Sequence, residues 1–286
     1  MTDSRQNAIL ARQSFIELGA RSRAQALLDA GSFRELIGPF ARMTSPWLTA
    51  QGIVPQADDG VVIARGTIDG APTVIAAIEG AFQGGSLGEV AGAKIAGALE
   101  LAAEDCRHGK LTQAAILFET GGVRLQEANL GLAAIAEIHA GIVDLRQYAP
   151  VIGVVAGTVG CFGGMSIAAG LCSYLAVTRE ARLGLNGPQV IEQEAGVEEY
   201  DSRNRPLIWG FTGGEQRYET GFADAFLEDD IADVRNKLRG LFARGLPKTN
   251  RSDRYADYLE RLARVDIGRQ ADSAMVRTLF KKGEQA

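Results

Sequence analysis

The sequence contains few of the side chains that most often act as nucleophiles, general bases or metal ligands. Its 286 residues include three cysteines, Cys106, Cys161 and Cys172, and two histidines, His108 and His139. An odd number of cysteines without C-x-x-C spacing argues against a disulfide framework and against a four-cysteine zinc site. The sequence also lacks the G-x-S-x-G elbow from which a Ser-His-Asp triad would start. These absences favour chemistry that needs charge stabilisation more than a strong nucleophile.

Other absences limit where the chain works and what it binds. No uninterrupted apolar run reaches the length of a membrane span, and the N-terminus has no basic stretch followed by a hydrophobic one, so neither a membrane span nor a signal peptide is predicted. Together with the few cysteines, this pattern predicts a cytoplasmic protein. The net charge of −5 argues against nucleic acid as the main ligand. Residues 230–286 are basic, and both solvated helix faces and contact with an acidic partner or with phosphates are open for them.

Glycine, by contrast, is abundant: it accounts for 35 of 286 residues, and 19 of the 35 lie between Gly80 and Gly187. In this region strand-like and helix-like segments alternate, which predicts an α/β fold. We expect one domain over residues 1–286, with a core at about 30–230 and a helical extension over 230–286.

The order of the predicted elements is specific. The Asp69-Gly70 turn between two β-rich runs predicts a hairpin. Apolar periodicity predicts further helices and strands. Helices are expected over residues 14–30 (broken near Gly19), 89–106, 126–147 and from 188. Strands are expected over residues 114–119 and 151–157 and in the segments SYLAVT and RLGL. A loop is expected from 196 to 212.

Three glycine-rich loops, over residues 80–89, 118–127 and 157–166, each follow a predicted strand and precede a predicted helix. None matches a G-x-G-x-x-G dinucleotide fingerprint or the Lys-Ser/Thr of a phosphate loop. Loops of this kind present backbone N–H groups at helix N-termini, where they stabilise an oxygen that gains negative charge. The pattern therefore predicts an oxyanion site made mainly of main chain.

Four sequence blocks, in order, resemble the biotin-dependent acyl-CoA carboxyltransferase β subunits of the crotonase superfamily: FQGGSLGEVAGAKIAGALELA, FETGGVRLQEA, APVIGVVAGTVGCFGGMSIAAGL and ARLGLNGPQVIEQ. The chain lacks the zinc ribbon of bacterial acetyl-CoA carboxylase β subunits and is much shorter than propionyl-CoA-type β chains, so it is most similar to the malonate decarboxylase β subunits. The resemblance implies a crotonase-like (ClpP/crotonase) spiral of ββα units, of the carboxyltransferase N-domain type, with extra terminal helices.

The resemblance also implies which residues form the site. Gly121, Gly122, Gly163 and Gly164 match the two family loops whose amides bind a thioester carbonyl, so they are the predicted catalytic residues. The predicted substrate-binding residues match family blocks that line the substrate path, and Arg124 among them is expected to orient a ligand or fix a loop: Gln83, Gly84, Gly85, Ser86, Arg124, Gln126 and Pro188. No metal ligand is implied.

In the malonate decarboxylase branch, such a subunit decarboxylates a malonyl thioester on an acyl carrier protein to the acetyl thioester, through an oxyanion-stabilised enolate. The resemblance implies no cofactor bound by this chain. A phosphopantetheine-type, dephospho-CoA-derived arm arrives with the carrier protein, and a second crotonase-like (γ) subunit completes the site. The alternatives are a biotin-dependent carboxyltransferase β subunit, which alone would involve biotin, and a non-catalytic scaffold subunit. Glu127, Cys161 and a partner group are all open as the proton donor.

Overall fold

A computed structural model of the chain describes residues 11–266, 268 and 272–280. Its strands form one sheet in which spatial order follows sequence order, with antiparallel pairing at the first two contacts and parallel pairing from β3 onwards. The strands are β1 (Arg34–Leu36), β2 (Val61–Ile68), β3 (Ala71–Ile78), β4 (Gln113–Phe118), β5 (Val151–Val155), β6 (Tyr174–Thr178) and β7 (Ala225–Leu227).

Helices connect and cover these strands. They are α1 (Ala20–Leu27), α2 (Pro46–Ala50), α3 (Glu89–Arg107), α4 (Asn129–Leu145), α5 (Gly164–Leu171), α6 (Pro188–Ala195), α7 (Arg205–Thr212), α8 (Gly214–Glu219), α9 (Ile231–Ala243), α10 (Tyr255–Leu262) and α11 (Ser273–Phe280). Short 3₁₀ turns lie at Pro39–Ala41, Gln83–Gly85, Leu125–Glu127 and Arg251–Arg254. The predicted α/β class is confirmed.

The predicted hairpin is confirmed. Strands β2 and β3 pair along their whole length up to Ile68 opposite Ala71. Asp69 and Gly70 both have positive φ, 50° and 76°, as a two-residue type I′ turn requires. This sequence signal was strong because asparagine, aspartate and glycine adopt that backbone conformation at low cost.

The central strands are buried on both faces, and their side chains alternate between two cores. In β4, Ile116 and Phe118 pack towards the core beneath α3, α4 and α5, whereas Leu117 packs towards the core beneath α1 and α9. Parallel strands covered by helices on both sides read as continuous apolar runs. The AAILF run in β4 is therefore explained by its place in the middle of the sheet.

Two element predictions are wrong. The RLGL segment forms no strand; Arg182 and Leu183 make only isolated bridges, because β6 ends at Thr178 and the chain has left the sheet. The predicted loop over 196–212 contains α7, whose start is capped by the Asn204 side chain accepting a hydrogen bond from the Leu207 N–H at 3.2 Å. Asn-x-Pro is a helix-start signal, and the sequence interpretation missed it.

The remaining elements agree with prediction within a few residues, apart from the first helix, which begins only at Ala20. The C-terminal segment is helical in α9, α10 and α11, while residues 267, 269–271 and 281–286 of that prediction lie outside the described residues. No helix in the described part of the chain is long and apolar enough to cross a membrane.

The parallel strands place the three glycine-rich loops together. Strands β3, β4 and β5 each run directly into one of the loops, and each loop leads to α3, α4 or α5. Because carboxyl ends of parallel strands meet at one edge of a sheet, the loops lie side by side there.

Candidate active site

The second and third glycine-rich loops touch through glycine. A Cβ built on Gly122 would lie 3.1 Å from the Phe162 carbonyl oxygen and 3.3 Å from the Gly163 Cα. Gly122 and Gly163 have φ of +108° and +61°, a region that disfavours side chains. Hydrogen bonds join the loops beside this contact, from Thr120 N to the Gly160 carbonyl at 2.8 Å. Glycine is thus required at both positions for close approach as well as for conformation.

The first loop is joined to the second in the same way. The Gly121 N–H donates to the Gly84 carbonyl at 2.9 Å, and the Leu87 N–H donates to the Gly122 carbonyl at 2.8 Å. A Cβ built on Gly85 would lie only 1.9 Å from the Glu119 carbonyl oxygen. The structure therefore brings the three loops into one cluster.

The backbone N–H groups of the four predicted catalytic glycines differ in what they bind. Gly121 donates to Gly84, Gly122 donates to the Thr120 hydroxyl at 3.0 Å, and Gly163 donates to the Leu185 carbonyl at 2.8 Å. Only the Gly164 N–H, among these four, has no acceptor in the described part of the chain. Three of the four amides are therefore already bonded within the chain, and the catalytic role of the four glycines stays a prediction.

The Val123 N–H also has no acceptor among the described residues. It faces Gly163, because a Cβ built there would lie 3.9 Å from the Val123 nitrogen. Gly164 is the first residue of α5, so its N–H points out of the positive end of a helix dipole. The two unpaired donors thus flank the contact between the second and third loops.

Each unpaired donor belongs to a peptide group whose carbonyl is already bonded. The Gly163 carbonyl, in the same peptide as the Gly164 N–H, accepts from the Ser166 hydroxyl at 2.7 Å and from the Ser166 N–H at 3.0 Å. The Gly122 carbonyl, in the same peptide as the Val123 N–H, accepts from Leu87. Hydrogen bonds to a carbonyl polarise the N–H of the same peptide and strengthen it as a donor.

Ser166→Ala is expected to reduce kcat about three- to tenfold with KM little changed, because the Gly164 amide loses a polarising bond that matters most when charge develops. The free energy of unfolding should fall by only about 1 kcal/mol, the usual net value of one hydrogen bond. Steady-state kinetics and urea unfolding measure both. Ser166→Thr keeps the hydroxyl and should retain kcat; equal losses in both variants would contradict this role.

Arg124 lies behind the loops, not in front of them. Its side chain is 0% exposed; Nη1 bonds both Asp59 carboxylate oxygens at 2.9 and 3.0 Å and the Glu127 Oε1 at 2.9 Å. Nη2 donates to the Ser86 carbonyl at 3.0 Å, and the guanidinium lies over the Phe82 ring. This geometry favours the loop-fixing role expected for Arg124, since contact with a ligand would require these ion pairs to open.

The two carboxylates around Arg124 also hold the start of α3. Asp59 Oδ2 accepts from the Ala91 N–H at 3.0 Å, and Glu127 Oε2 accepts from the Glu89 N–H at 2.8 Å. Burial raises the pKa of Asp59, and the charge of Arg124 opposes that increase. The sequence interpretation missed Asp59, whose only signal is its place in the Asp58-Asp59-Gly60 turn before β2.

The other predicted substrate-binding residues lie at the rim of the cluster. Gln83 and Gly84 are exposed, and the Ser86 hydroxyl donates to the Gln83 carbonyl at 2.8 Å. Gln126 is exposed, with its carbonyl bonded by the Gln51 side chain at 2.7 Å. Pro188 is the buried first residue of α6. Their role in substrate binding stays a prediction.

His139 and Cys161 support the site without facing it. Because a carbonyl can only accept, His139 Nε2 donates to the Gly164 oxygen at 2.8 Å, joining α4 to the first turn of α5. Cys161 is fully buried, and burial raises the pKa of its thiol well above the usual range. The three cysteines are all free. In residues 11–266, 268 and 272–280, no group of three or more His, Cys, Asp or Glu side chains could hold a metal ion.

Three arginines of the basic C-terminal segment form ion pairs with carboxylates of the described residues. Arg251 lies 3.1 Å from Asp224, and both Arg254 and Arg261 lie 3.0 Å from Asp257. These ion pairs favour the interpretation of solvated helix faces over direct contact of these arginines with an acidic partner.

Comparisons with known proteins agree with this architecture. The carboxyl transferase domain family matches residues 17–266. The malonyl-S-ACP:biotin-protein carboxyltransferase MADC of Malonomonas rubra is 40% identical over 233 residues, which cover 78% of this chain and 73% of that protein. Transcarboxylase 12S shares 27% identity and a TM-score of 0.67, covering 84% of this chain and 43% of the other.

A chain of a Pseudomonas malonate decarboxylase hetero-tetramer, crystallised with malonate, is 70% identical with a TM-score of 0.94, over 96% of this chain and 100% of that one. The predicted likeness to malonate decarboxylase and the predicted crotonase-like fold are confirmed. The chain belongs to the carboxyl transferase family, in the group that includes the malonate decarboxylase subunits.

Proposed function

We propose that this chain is the β subunit of a malonate decarboxylase and that the Val123 and Gly164 amides bind the carbonyl oxygen of a malonyl thioester. The observation that carries the proposal is the pair of unpaired N–H groups across the Gly122–Gly163 contact. Both belong to peptides with bonded carbonyls, and one begins a helix. Donors fixed in this way stabilise developing negative charge without reorganising.

In the reaction, the bond between the malonyl α-carbon and its carboxylate breaks, and CO2 leaves. The bonding electron pair moves to the α-carbon and is shared with the thioester oxygen, which becomes an enolate oxygen. The Val123 and Gly164 amides bind this oxygen more strongly than the ground-state carbonyl, so they lower the barrier. Each additional ~1.4 kcal/mol by which the amides bind the enolate oxygen more strongly than the carbonyl oxygen speeds the step tenfold.

The enolate carbon must then take up one proton to give the acetyl thioester. Both oxygens of Glu127 are engaged, with Arg124 and with the Glu89 amide, and the Cys161 thiol is fully buried with a raised pKa. Neither group presents an acidic proton to the loop contact. We therefore assign the proton to water or to a group of the partner subunit.

A second subunit has a fitting surface beside these loops. The outward face of α4 carries Leu132, Ala136, Ala140 and Val143, all exposed, and Ile167 of α5 lies 48% exposed next to the site. A helix that is apolar on its outer face usually packs against a partner. The Pseudomonas relative is a hetero-tetramer, which supports a second crotonase-like (γ) subunit and an acyl carrier protein as the partners here.

The substrate in this proposal is a malonyl thioester on the phosphopantetheine-type arm of the carrier protein. The chain itself needs no further cofactor for the steps above. One relative, MADC, is a malonyl-S-ACP:biotin-protein carboxyltransferase, so transfer of the carboxyl group to biotin is the second candidate. The free cysteines fit a cytoplasmic location for the assembly.

The test is purification of the chain with co-expressed neighbouring subunits, followed by a malonyl-thioester decarboxylation assay with and without avidin. We expect release of CO2 and acetyl thioester at the same rate in both conditions. Loss of activity with avidin, or co-purification of a biotinylated protein, would favour the carboxyltransferase. Full activity of the isolated chain, without partner or carrier, would overturn the proposal.

A further inference from the structure

An arginine-rich pocket of about 740 Å³ lies at the carboxyl end of β6, beside the third glycine-rich loop. Four arginines line it: Arg179, Arg182, Arg203 and Arg205. Thr158 of the third loop and Trp209 of α7 also line the pocket, next to these arginines. The pocket is separate from the contact between Gly122 and Gly163.

The positive charges of the pocket are poorly compensated. Arg203 has an acidic partner, Asp201 at 3.2 Å. Arg179 and Arg205 form no ion pair with any described residue, and Glu180 is the one carboxylate among the residues of the wall. Like charges gathered without counter-charges are costly, so such a cluster is typical of a site for an anion.

The third loop fixes Arg182 in the pocket. The Arg182 Nη2 donates to the Thr158 carbonyl at 2.5 Å, and the Cys161 N–H donates to the Arg182 carbonyl at 2.8 Å. The guanidinium lies over the rings of both Phe162 and Trp209, at 5.7 and 5.0 Å from their centroids. Its Nε is buried without a hydrogen-bond partner in the described part of the chain.

Arg182 and Arg205 act on each other across the pocket. Burial lowers the pKa of the Arg182 guanidinium; the nearby Tyr200 opposes this decrease, and the positive charge of Arg205 adds to it. A bound anion would relieve this repulsion and add counter-charge where the chain supplies little.

We propose that this pocket binds a phosphate group, which the exposed guanidinium groups of Arg179 and Arg205 and the anchored guanidinium of Arg182 would hold. A phosphate carries up to two negative charges and three oxygens, so it can bond more than one guanidinium bidentately, whereas a single carboxylate cannot. The phosphate has two sources: the phosphates of a coenzyme-A-like thioester arm, and a free inorganic phosphate or pyrophosphate.

Binding is measured by titration calorimetry on the chain purified with its partner subunits. The probes are coenzyme A, pantetheine, which lacks phosphate, and inorganic pyrophosphate. The test variant is Arg179→Gln with Arg205→Gln, two exposed arginines outside any ion pair with the described residues. The control, Arg34→Gln with Lys248→Gln, removes the same charge from exposed residues in β1 and after α9, away from the pocket.

We expect the test variant to weaken binding of coenzyme A or pyrophosphate about 10- to 100-fold, since it removes two charge-assisted contacts. The control should change binding less than about threefold. If the test variant binds coenzyme A more weakly than wild type does, the thioester arm is the source of the phosphate. If only pyrophosphate binding is weakened, the source is a free phosphate. Equal binding by wild type, test and control for both phosphate probes would overturn the proposal. Because only binding is measured, this result is independent of the decarboxylation assay.

Discussion

Gly164→Pro is expected to lower kcat about 100- to 1,000-fold, because it removes one of the two unpaired amides at the loop contact. Proline at the first helical position costs a helix little, since the N–H lost there has no intrahelical partner and the required φ is the one that proline adopts. The α5 helix should therefore keep its place. Rapid-quench measurement of malonyl-thioester decarboxylation in the purified assembly gives the rate.

The control for this variant is Gly164→Ala. A Cβ at this position meets the Ile135 Cγ2 at 2.8 Å, and proline and alanine introduce that contact alike. Alanine keeps the N–H, so the difference between the two variants separates replacement of the amide hydrogen by the proline ring carbon from the Ile135 contact that both variants share. We expect Gly164→Ala to retain most of kcat after Ile135 adjusts; equal loss in both variants would assign the effect to packing and contradict the donor role.

Gly122→Pro, by comparison, is a poor test of the same idea. Gly122 has φ of +108° and its N–H donates to the Thr120 hydroxyl, whereas proline requires a negative φ and has no N–H to donate. Such a variant would disturb the loop itself. Gly122 is thus needed for its backbone conformation and close packing, whereas Gly164 has an N–H that is free to bind a substrate oxygen.

This separation could not be made from the sequence. Glycine-rich loops after buried strands predicted where the site lies, because strand and helix periodicity fix which loops share an edge of the sheet. A glycine in a motif does not tell where its N–H points. The Val123 N–H is the second unpaired donor, and the motif does not point to it because the glycines, not the residue after them, define the motif.

Long-range polar contacts were likewise beyond the sequence. Asp59 and Arg124 are 65 residues apart, and no local pattern connects a turn before a hairpin to a loop after β4. The hairpin at Asp69-Gly70, by contrast, depends on neighbouring residues alone and was predicted correctly. Local conformation could therefore be predicted from neighbouring residues. The partner of a buried charge could not, because it depends on which distant segments the fold brings together.

Arg124→Met is expected to lower the free energy of unfolding by about 3–5 kcal/mol, because it leaves two buried carboxylates without their cation. Asp59 and Glu127 are 0% exposed at their side chains, so water cannot replace the guanidinium. Urea unfolding of the variant and the wild type, compared at constant m, measures the change.

Arg239→Met provides a matched control. Arg239 also bridges two carboxylates, Asp29 at 3.2 Å and Asp69 at 3.0 Å, but its side chain is 33% exposed. Surface pairs contribute little, so this variant should cost about 1 kcal/mol or less. Equal losses for the two variants would show that burial of Arg124 does not decide its contribution.

The pH dependence distinguishes unpaired charge from lost packing in Arg124→Met. Burial already raises the pKa of Asp59, and without Arg124 the opposing influence disappears, so the folded pKa rises further above the unfolded one. A carboxyl group of this kind binds more protons in the folded state, and stability therefore increases as pH falls through the folded pKa. The difference from wild type should shrink between about pH 8 and about pH 5. A difference that stays constant over this range would point to a packing defect, and the role of Arg124 as the cation that holds the loops together would be withdrawn.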